Sequence, residues 1–184
     1  MGDITQLVGA VRAGEPEALD RLVAAAYDEL CLLARARLSR AAPVTLLDTT
    51  ALVHECYLRL LKVGTLQAAD RAHFFGYAGR AMRSIIVDAV RNRSAVRRGG
   101  AALHVTLGAE EPQAEAQAIE QLLAVDAALS RLAAIDPRLA QVVELRYFVG
   151  LSNQEIAAAL DVDERTVRRD WDKARALLYA ELRA

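Results

Sequence analysis

Gly150 to Trp171 is the segment that leaves this chain the least freedom. Ser152 and Glu155 stand at the spacing of a capping box, in which the hydroxyl accepts from a backbone N–H and the carboxylate reaches back to the cap. They open a short helix carrying Ile156, Ala157 and Leu160. Asp161-Val162-Asp163 then makes a turn, and a second helix begins near Glu164 and runs to the C-terminus, with Val167, Trp171, Ala174, Leu177 and Leu178 at its apolar positions. Two helices this close need a small residue at the crossing, which Ala157 supplies. The turn needs a residue that accepts left-handed backbone, which Asp161 does less easily than glycine. Val162 plugs the corner. Such a helix-turn-helix presents the N-terminal half of its second helix outward, in a shape that suits a major groove.

The outward face carries matching chemistry. Arg165, Arg168 and Arg169 lie on its first two turns, and Lys173 and Arg175 follow. Arginine chelates guanine O6 and N7, and any of these cations pairs with phosphate. The competing reading is a solvated charged helix, because Asp163, Glu164, Asp170 and Asp172 nearly cancel the cations. Charge alone does not separate the two. The capping box, small residue, turn and plug together favour nucleic acid.

The remainder reads as helix. Of 184 residues 54% are apolar, with only 10 Gly and 4 Pro, which argues against a sandwich, a barrel or a disordered chain. No apolar run approaches membrane-spanning length, so no membrane insertion is expected. Met1-Gly2-Asp3 shows no basic start of a secretory signal. Cys31 and Cys56 form no CxxC and read as semi-buried reduced thiols of a cytoplasmic protein. Ile4, Leu7, Val8 and Val11 mark a first helix, after which Gly14 breaks the chain and Pro16 suits a first helical turn. Leu19, Leu22, Val23, Tyr27, Leu30, Leu33 and Leu38 form one long amphipathic stripe ending before Pro43. Asp48-Thr49-Thr50 offers caps for a helix with Leu52, Val53, Tyr57, Leu60 and Leu61. A helix over about 71–95 has Phe74, Ala78, Met82, Ile85, Ile86 and Ala89 on its apolar face, and Gly76 and Gly79 within it suggest close packing or a bend. Ile119, Leu122, Leu123, Leu129 and Leu132 mark the next helix. Asp136-Pro137 opens another through Val142, Val143, Leu145 and Tyr147, ended by Gly150.

A net charge of −1 predicts no partner, but its distribution is informative. Residues 1–100 hold 14 basic against 10 acidic side chains, 99–136 hold 1 against 6, and 137–184 hold 8 against 8. The sharpest block places Arg71, Arg80, Arg83, Arg91, Arg93, Arg97 and Arg98 against a single acid, Asp88. Such an excess is costly unless an anion comes to it, and a DNA backbone would bind there with salt-sensitive affinity. Phe74, Phe75 and Tyr77 could stack on unpaired bases, although a place in the core is the stronger reading. Gly99-Gly100, Gly108 and Pro112 punctuate an acidic linker over roughly 99–116, with a reach of at most about 60 Å. His104 to Leu107 could pass for a strand but has no partner strand. His54, Glu55, Cys56, His73 and Asp88 invite a metal reading, yet His54 and Cys56 point to different faces of a helix. No HExxH, phosphate loop or GxSxG occurs, so no catalytic residue, metal or cofactor is expected.

Two stretches together resemble the extracytoplasmic-function (ECF) group of bacterial RNA polymerase sigma factors of the sigma-70 superfamily. The first is Asp48-Thr49-Thr50-Ala51-Leu52-Val53-His54-Glu55-Cys56-Tyr57-Leu58-Arg59-Leu60 with Ala72-His73-Phe74-Phe75, Ala81-Met82-Arg83 and Val87-Asp88. The second is Gly150-Leu151-Ser152 to Ala157 with Thr166-Val167-Arg168-Arg169-Asp170-Trp171. The match covers nearly the whole chain. It implies an all-α fold of two small helical domains: a region 2-like domain over 1–98, the linker over 99–116, and a region 4-like helix-turn-helix domain over 117–184. It implies that Asp48, His54, Glu55, Leu58 and Arg59 dock on the clamp helices of the polymerase's largest subunit, and that Val142 to Phe148 lies towards the flap of the second-largest. Arg80, Arg83, Asp88, Arg91, Asn92, Arg93, Arg97 and Arg98 would read and help melt a −10 element. Glu164, Arg165, Thr166, Arg168, Arg169, Lys173 and Arg175 would read a −35 element. Core polymerase, promoter DNA and, as a further partner the family allows, an anti-sigma factor follow. Many family members carry an acid in place of Ala51, glycine in place of Asp161, and alanines in place of Gly76 and Gly79. Three other classes compete: a DNA-binding regulator that works without polymerase, a helical adaptor that binds only proteins, and an enzyme.

Overall fold

The computed structural model describes residues 4–41, 45, 47–63, 68–99 and 111–183, with the side chains of 40, 41, 96–99 and 111–113 outside that description. Every regular element among the described residues is helical: α1 (Ile4–Arg12), α2 (Ala18–Ala25), α3 (Tyr27–Ala41), α4 (Thr49–Val63), α5 (Arg71–Gly99), α6 (Glu111–Ile135), α7 (Pro137–Val143) with its π-helical continuation Glu144–Val149, α8 (Asn153–Leu160) and α9 (Glu164–Glu181). The chain is all-α.

Local chemistry explains most boundaries. Asp48 Oδ1 accepts from the Ala51 N–H at 2.8 Å and starts α4. Asp136 accepts from the N–H groups of Arg138 and Leu139, with Pro137 at the first helical position, and starts α7. Gly150, at φ 84°, ends the π segment in the left-handed region that glycine enters without strain. Elsewhere the fold departs from the sequence pattern. The stripe from Leu19 to Leu38 is two helices, because the chain bends at Ala26, a fully buried residue between α2 and α3. Pro16 lies ahead of α2 rather than in its first turn, and Glu17 takes up the left-handed bend there at φ 57°. Leu61 and Leu177, placed on apolar faces by spacing, are exposed. Both cysteines are buried free thiols rather than half-buried ones. Burial pushes the Cys56 thiol up to about 12 against the lowering charges of Arg37 and Arg59.

Of the stretch read as linker, Gly99 closes α5 and 111–116 form the start of α6. His104 to Leu107 lies outside the described residues.

The core has three parts. The first gathers α1 to α5 around Leu22, Leu30, Leu52, Phe74 and Met82, and Ile119 and Leu122 of α6 pack against it. The second joins α6, α7 and α9 through Leu129, Leu132, Leu139 and Ala174. The third joins the end of α7, the π segment, α8 and α9 through Val142, Leu145, Ile156 and Val167, with Ala72 of α5 against it. Two glycines of α5 sit in tight contacts, Gly76 across the seam and Gly79 against Arg37 of α3. A Cβ on Gly76 would lie 2.8 Å from Leu145 Cδ2, and one on Gly79 would lie 2.7 Å from Arg37 Nη2. These glycines serve close packing, the first of the two roles their sequence positions suggested.

Phe74 is completely buried and meets Phe75 edge to face, with centroids 5.2 Å apart. Removing such a ring costs transfer energy and leaves a cavity. Phe74→Ala should therefore lower the unfolding free energy by about 3–5 kcal/mol in urea titrations. Leu32→Ala, at a side chain that is 63% exposed, should stay within about 0.5 kcal/mol of the parent.

Candidate nucleic-acid interface

The helix-turn-helix is held by its caps. Ser152 Oγ accepts from the Glu155 N–H at 3.3 Å, and Glu155 Oε2 accepts from the Ser152 N–H at 2.8 Å, so the capping box is complete. Asp161 adopts φ 52° and ψ 50°, the left-handed geometry that glycine enters most easily. The Val162 N–H donates to the Ala157 carbonyl at 3.0 Å, and Val162 packs against the third core. Asp163 starts α9 by accepting from the Thr166 N–H at 2.7 Å and from the Thr166 hydroxyl at 3.0 Å. Val167 is fully buried in the same apolar cluster as Ile156 and Ala157, where the small alanine lets the two helices cross.

This scaffold sorts the charges of α9. Arg165, Arg168, Arg169, Lys173 and Arg175 are all exposed. Arg168 has only a neighbouring-turn pair with Glu164 at 3.3 Å, while Arg169 and Lys173 reach Asp170 and Asp136 only at 3.9 Å. Thr166 is half-buried and spent on the cap. Asp170, counted by sequence among the acids that cancel these arginines, points inward. Its side chain is 4% exposed and accepts from Arg138 Nε at 2.7 Å, a bond that raises the Arg138 pKa. Asp163 is likewise engaged in its cap. The acids therefore offset the outward row less than the sequence count implies. Trp171 is fixed from the other side by Arg146, whose guanidinium lies 4.7 Å from the indole centroid and donates to Asn153 Oδ1 at 2.6 Å.

The arginine block of α5 is differently placed. Arg83 donates from Nη1 to Asp126 at 2.9 Å and from Nη2 to Glu144 at 3.1 Å. Arg80 reaches Glu144 at 3.4 Å, Arg91 reaches Asp126 at 3.4 Å, and Arg93 reaches Glu115 at 3.0 Å. All three acids belong to α6 or the π segment. Arg71 pairs with Glu29 of α3. Asn92 is exposed, and the Arg97 and Arg98 side chains lie outside the described residues. Phe74 and Phe75 are buried in the first core and Tyr77 packs half-buried against it, beneath Arg80.

On α4, His54 and Glu55 are exposed and Leu58 is half-buried. Asp48 serves as the helix cap. Arg59 is tied to Asp88 at 2.6 Å and to Ser84 Oγ at 2.7 Å, which joins a residue expected to meet polymerase to one expected to meet DNA. His54 faces out while Cys56 faces in, and the described residues contain no cluster of three or more groups able to hold a metal ion.

Sequence reasoning missed Glu144, Asp126 and Glu115 as members of this site. One signal was present: Glu144 interrupts the apolar run Val142-Val143-Glu144-Leu145. Burial raises the Glu144 pKa against the lowering charges of Arg83, Arg80 and Arg37.

The caps predict an acid dependence. Hydrogen bonds from Ser152 lower the Glu155 pKa, and hydrogen bonds from Thr166 lower that of Asp163. A lowered carboxylate contributes stability that is fully present above its unfolded-state pKa and is lost as pH falls through the folded-state value. Glu144, with a raised pKa, works in the opposite sense. Acid melts followed by circular dichroism should therefore show a shallower loss of stability on acidification in Glu155→Gln/Asp163→Asn than in the parent.

A family model described as ECF sigma factor matches residues 1–184. No curated protein matches the chain. Among solved structures, one described as CnrH in complex with the cytosolic domain of CnrY is 23% identical, with 97% of this chain and 96% of that chain covered at a TM-score of 0.39.

Proposed function

The chain belongs to the ECF sigma factor family, and on that premise we propose that it joins core RNA polymerase and reads a −35 element with α9 and a −10 element with α5. Membership carries the coarser statement: promoter-specific transcription initiation together with RNA polymerase, by a regulator that is not an enzyme. The finer reading rests on one observation above the others. Arg165, Arg168 and Arg169 project from the first turns of a helix whose N-terminus is capped, whose base is buried and whose inward acid is answered by Arg138. That arrangement supports major-groove contact by Arg165, Arg168 and Arg169, with Lys173 and Arg175 towards phosphates and Glu164 and Thr166 at the helix entry.

In this reading residues 1–98 form the unit for core polymerase and the −10 element, 99–116 the connection, and 117–184 the −35 unit. His54, Glu55 and Leu58, with Asp48 and Arg59 around them, dock on the clamp helices of the largest subunit. The segment around Tyr147 turns to the flap of the second-largest. Arg80, Arg83, Asp88, Arg91, Asn92, Arg93, Arg97 and Arg98 form the −10 surface. The site of action is the cytoplasm, where polymerase and promoters are, and an anti-sigma factor is a further partner of this surface.

Two weak readers on one chain gain effective concentration when promoter spacing lets both engage. Run-off transcription with purified core enzyme, followed by sequencing of the transcript starts, tests the proposal. Initiation should need both core and this protein, at sites sharing two spaced elements. Sequence-specific shifting of duplex DNA by the protein alone, with no effect of core, would instead identify an autonomous regulator. Arg168→Ala should lower affinity for the upstream element by about tenfold, the range of one lost base or phosphate contact, and leave core binding intact. Loss of core binding would misplace the role of α9.

A further inference from the structure

Asp170 stands where an apolar residue belongs. The inward stripe of α9 runs Val167, Asp170, Trp171, Ala174 and Leu178, and its other four members pack in the second and third cores. A carboxylate in such a stripe is costly to desolvate, and a pair of aliphatic side chains in place of a buried ion pair is often as stable or more so. What the carboxylate adds here is a fixed register. Its side chain is 4% exposed, accepts from Arg138 Nε at 2.7 Å and is reached by Arg138 Nη2 at 3.5 Å. Arg138 is itself set by the start of α7, where its N–H donates to Asp136 Oδ1 at 3.1 Å. Asp136 in turn has Lys173 of α9 at 3.9 Å. The two helices are thus linked twice, from acid to base in one direction and from base to acid in the other. We propose that Asp170 is a positioning residue for promoter reading: through Arg138 it sets the rotation of α9 about its axis, and so the direction in which Arg168 and Arg169 meet a base edge. This role rests on the function proposed above and names a specificity determinant of that same site.

Two further features agree. Asp170 Oδ1 lies 3.9 Å from Arg169 Nε, so the same carboxylate also acts on one of the outward arginines. The next residue, Trp171, is held from the other side by Arg146, which is bonded to Asn153 of α8. Consecutive residues of α9 are therefore gripped from α7 and from α8. The apolar contacts of Val167 and Ala174 are non-directional and tolerate a small rotation, whereas a short charge-assisted hydrogen bond does not. Bidentate contact with a base edge depends on aligned donors, while phosphate contact carries no sequence information. The pair should accordingly act on discrimination between sequences more than on total affinity for DNA.

Arg138→Leu/Asp170→Leu tests this by removing both charges together, so that neither is left alone. The full-length variant should unfold in urea at the parent's midpoint or above it. Assembled with core polymerase, it should bind a promoter with the intact upstream element about tenfold more weakly than the parent. Binding to the same promoter with that element scrambled should change by less than about twofold. Asp170→Asn, which keeps the shape, should lower the ratio of the two affinities in the same direction by a smaller factor, and it serves alone if the double variant does not fold. Variants that keep the parent's ratio overturn the proposal, as do variants whose specific and non-specific binding fall together. Trp171 is the single tryptophan of the chain and reports on α9 without DNA or core. With fluorotryptophan incorporated, the free parent should give one narrow fluorine resonance and the variants a broadened or divided one. A parent holoenzyme that prefers no upstream element refutes the assigned function. The fluorine line then decides the positioning of α9 by itself, and an unchanged narrow line in the variants overturns it.

Discussion

A carboxylate withdrawn from water must be answered by cations, and the burial of Glu144 sets much of this architecture. The residue rides on a π-helical segment between α7 and α8, with Val142 and Leu145 beside it in the apolar core. It has no exit to solvent, so α5 must bring Arg83 and Arg80 to it. A Cβ on Gly76 of that helix would press on Leu145 across the seam, whereas one on Gly79 would press on Arg37 of the same half. Arg37 of α3 in turn lies against Phe148, with the guanidinium 4.6 Å from the ring centroid. One buried charge thus accounts for the approach of Arg80 and Arg83 to the second half.

The same logic, with the opposite outcome, shapes α9. There the buried carboxylate is Asp170, and its partner Arg138 comes from α7 within the same half. The pair closes locally, and the remaining arginines are left to solvent. The two arginine-rich helices therefore differ in where their counter-charges originate. The counter-charge of α9 is built into its own unit, and its outward face stays open whatever the other half does. The counter-charges of Arg80, Arg83, Arg91 and Arg93 on α5 are supplied across the seam.

Legibility in the sequence follows the range of each interaction. The capping box of Ser152 and Glu155, the Asp136-Pro137 start of α7 and the left-handed Asp161 all complete themselves within a few residues, and their geometry could be read from spacing. The break at Ala26 could not. Ala24-Ala25-Ala26 is a strong helix-forming run, and yet the chain bends at Ala26, which becomes part of the first core. The π segment was equally silent, since its apolar residues continue an ordinary helical pattern and the widened turn adds no residue type of its own. Leu61 and Leu177 fit the helical period and still face solvent, which shows that period places a residue on a stripe but not on its covered part. The acids that meet Arg83 are 43 and 61 residues away in sequence, beyond any local rule. Only their shadow was visible, as seven arginines facing one acid.

Arginine sharpens this last point, because it cannot relieve its charge by losing a proton. A surface that carries several arginines is never neutral on its own. It is solvated, or paired with carboxylates, or paired with phosphates. Ion pairs shielded from water contribute little net stability against well-packed apolar groups, yet they discriminate strongly against arrangements that leave a charge alone. Such pairs define one docked arrangement of the two halves more than they add to its stability. The near-zero net charge of the chain then has a structural meaning. Its acids are not spread evenly over the surface, because Glu115, Asp126 and Glu144 are concentrated opposite the arginines of α5.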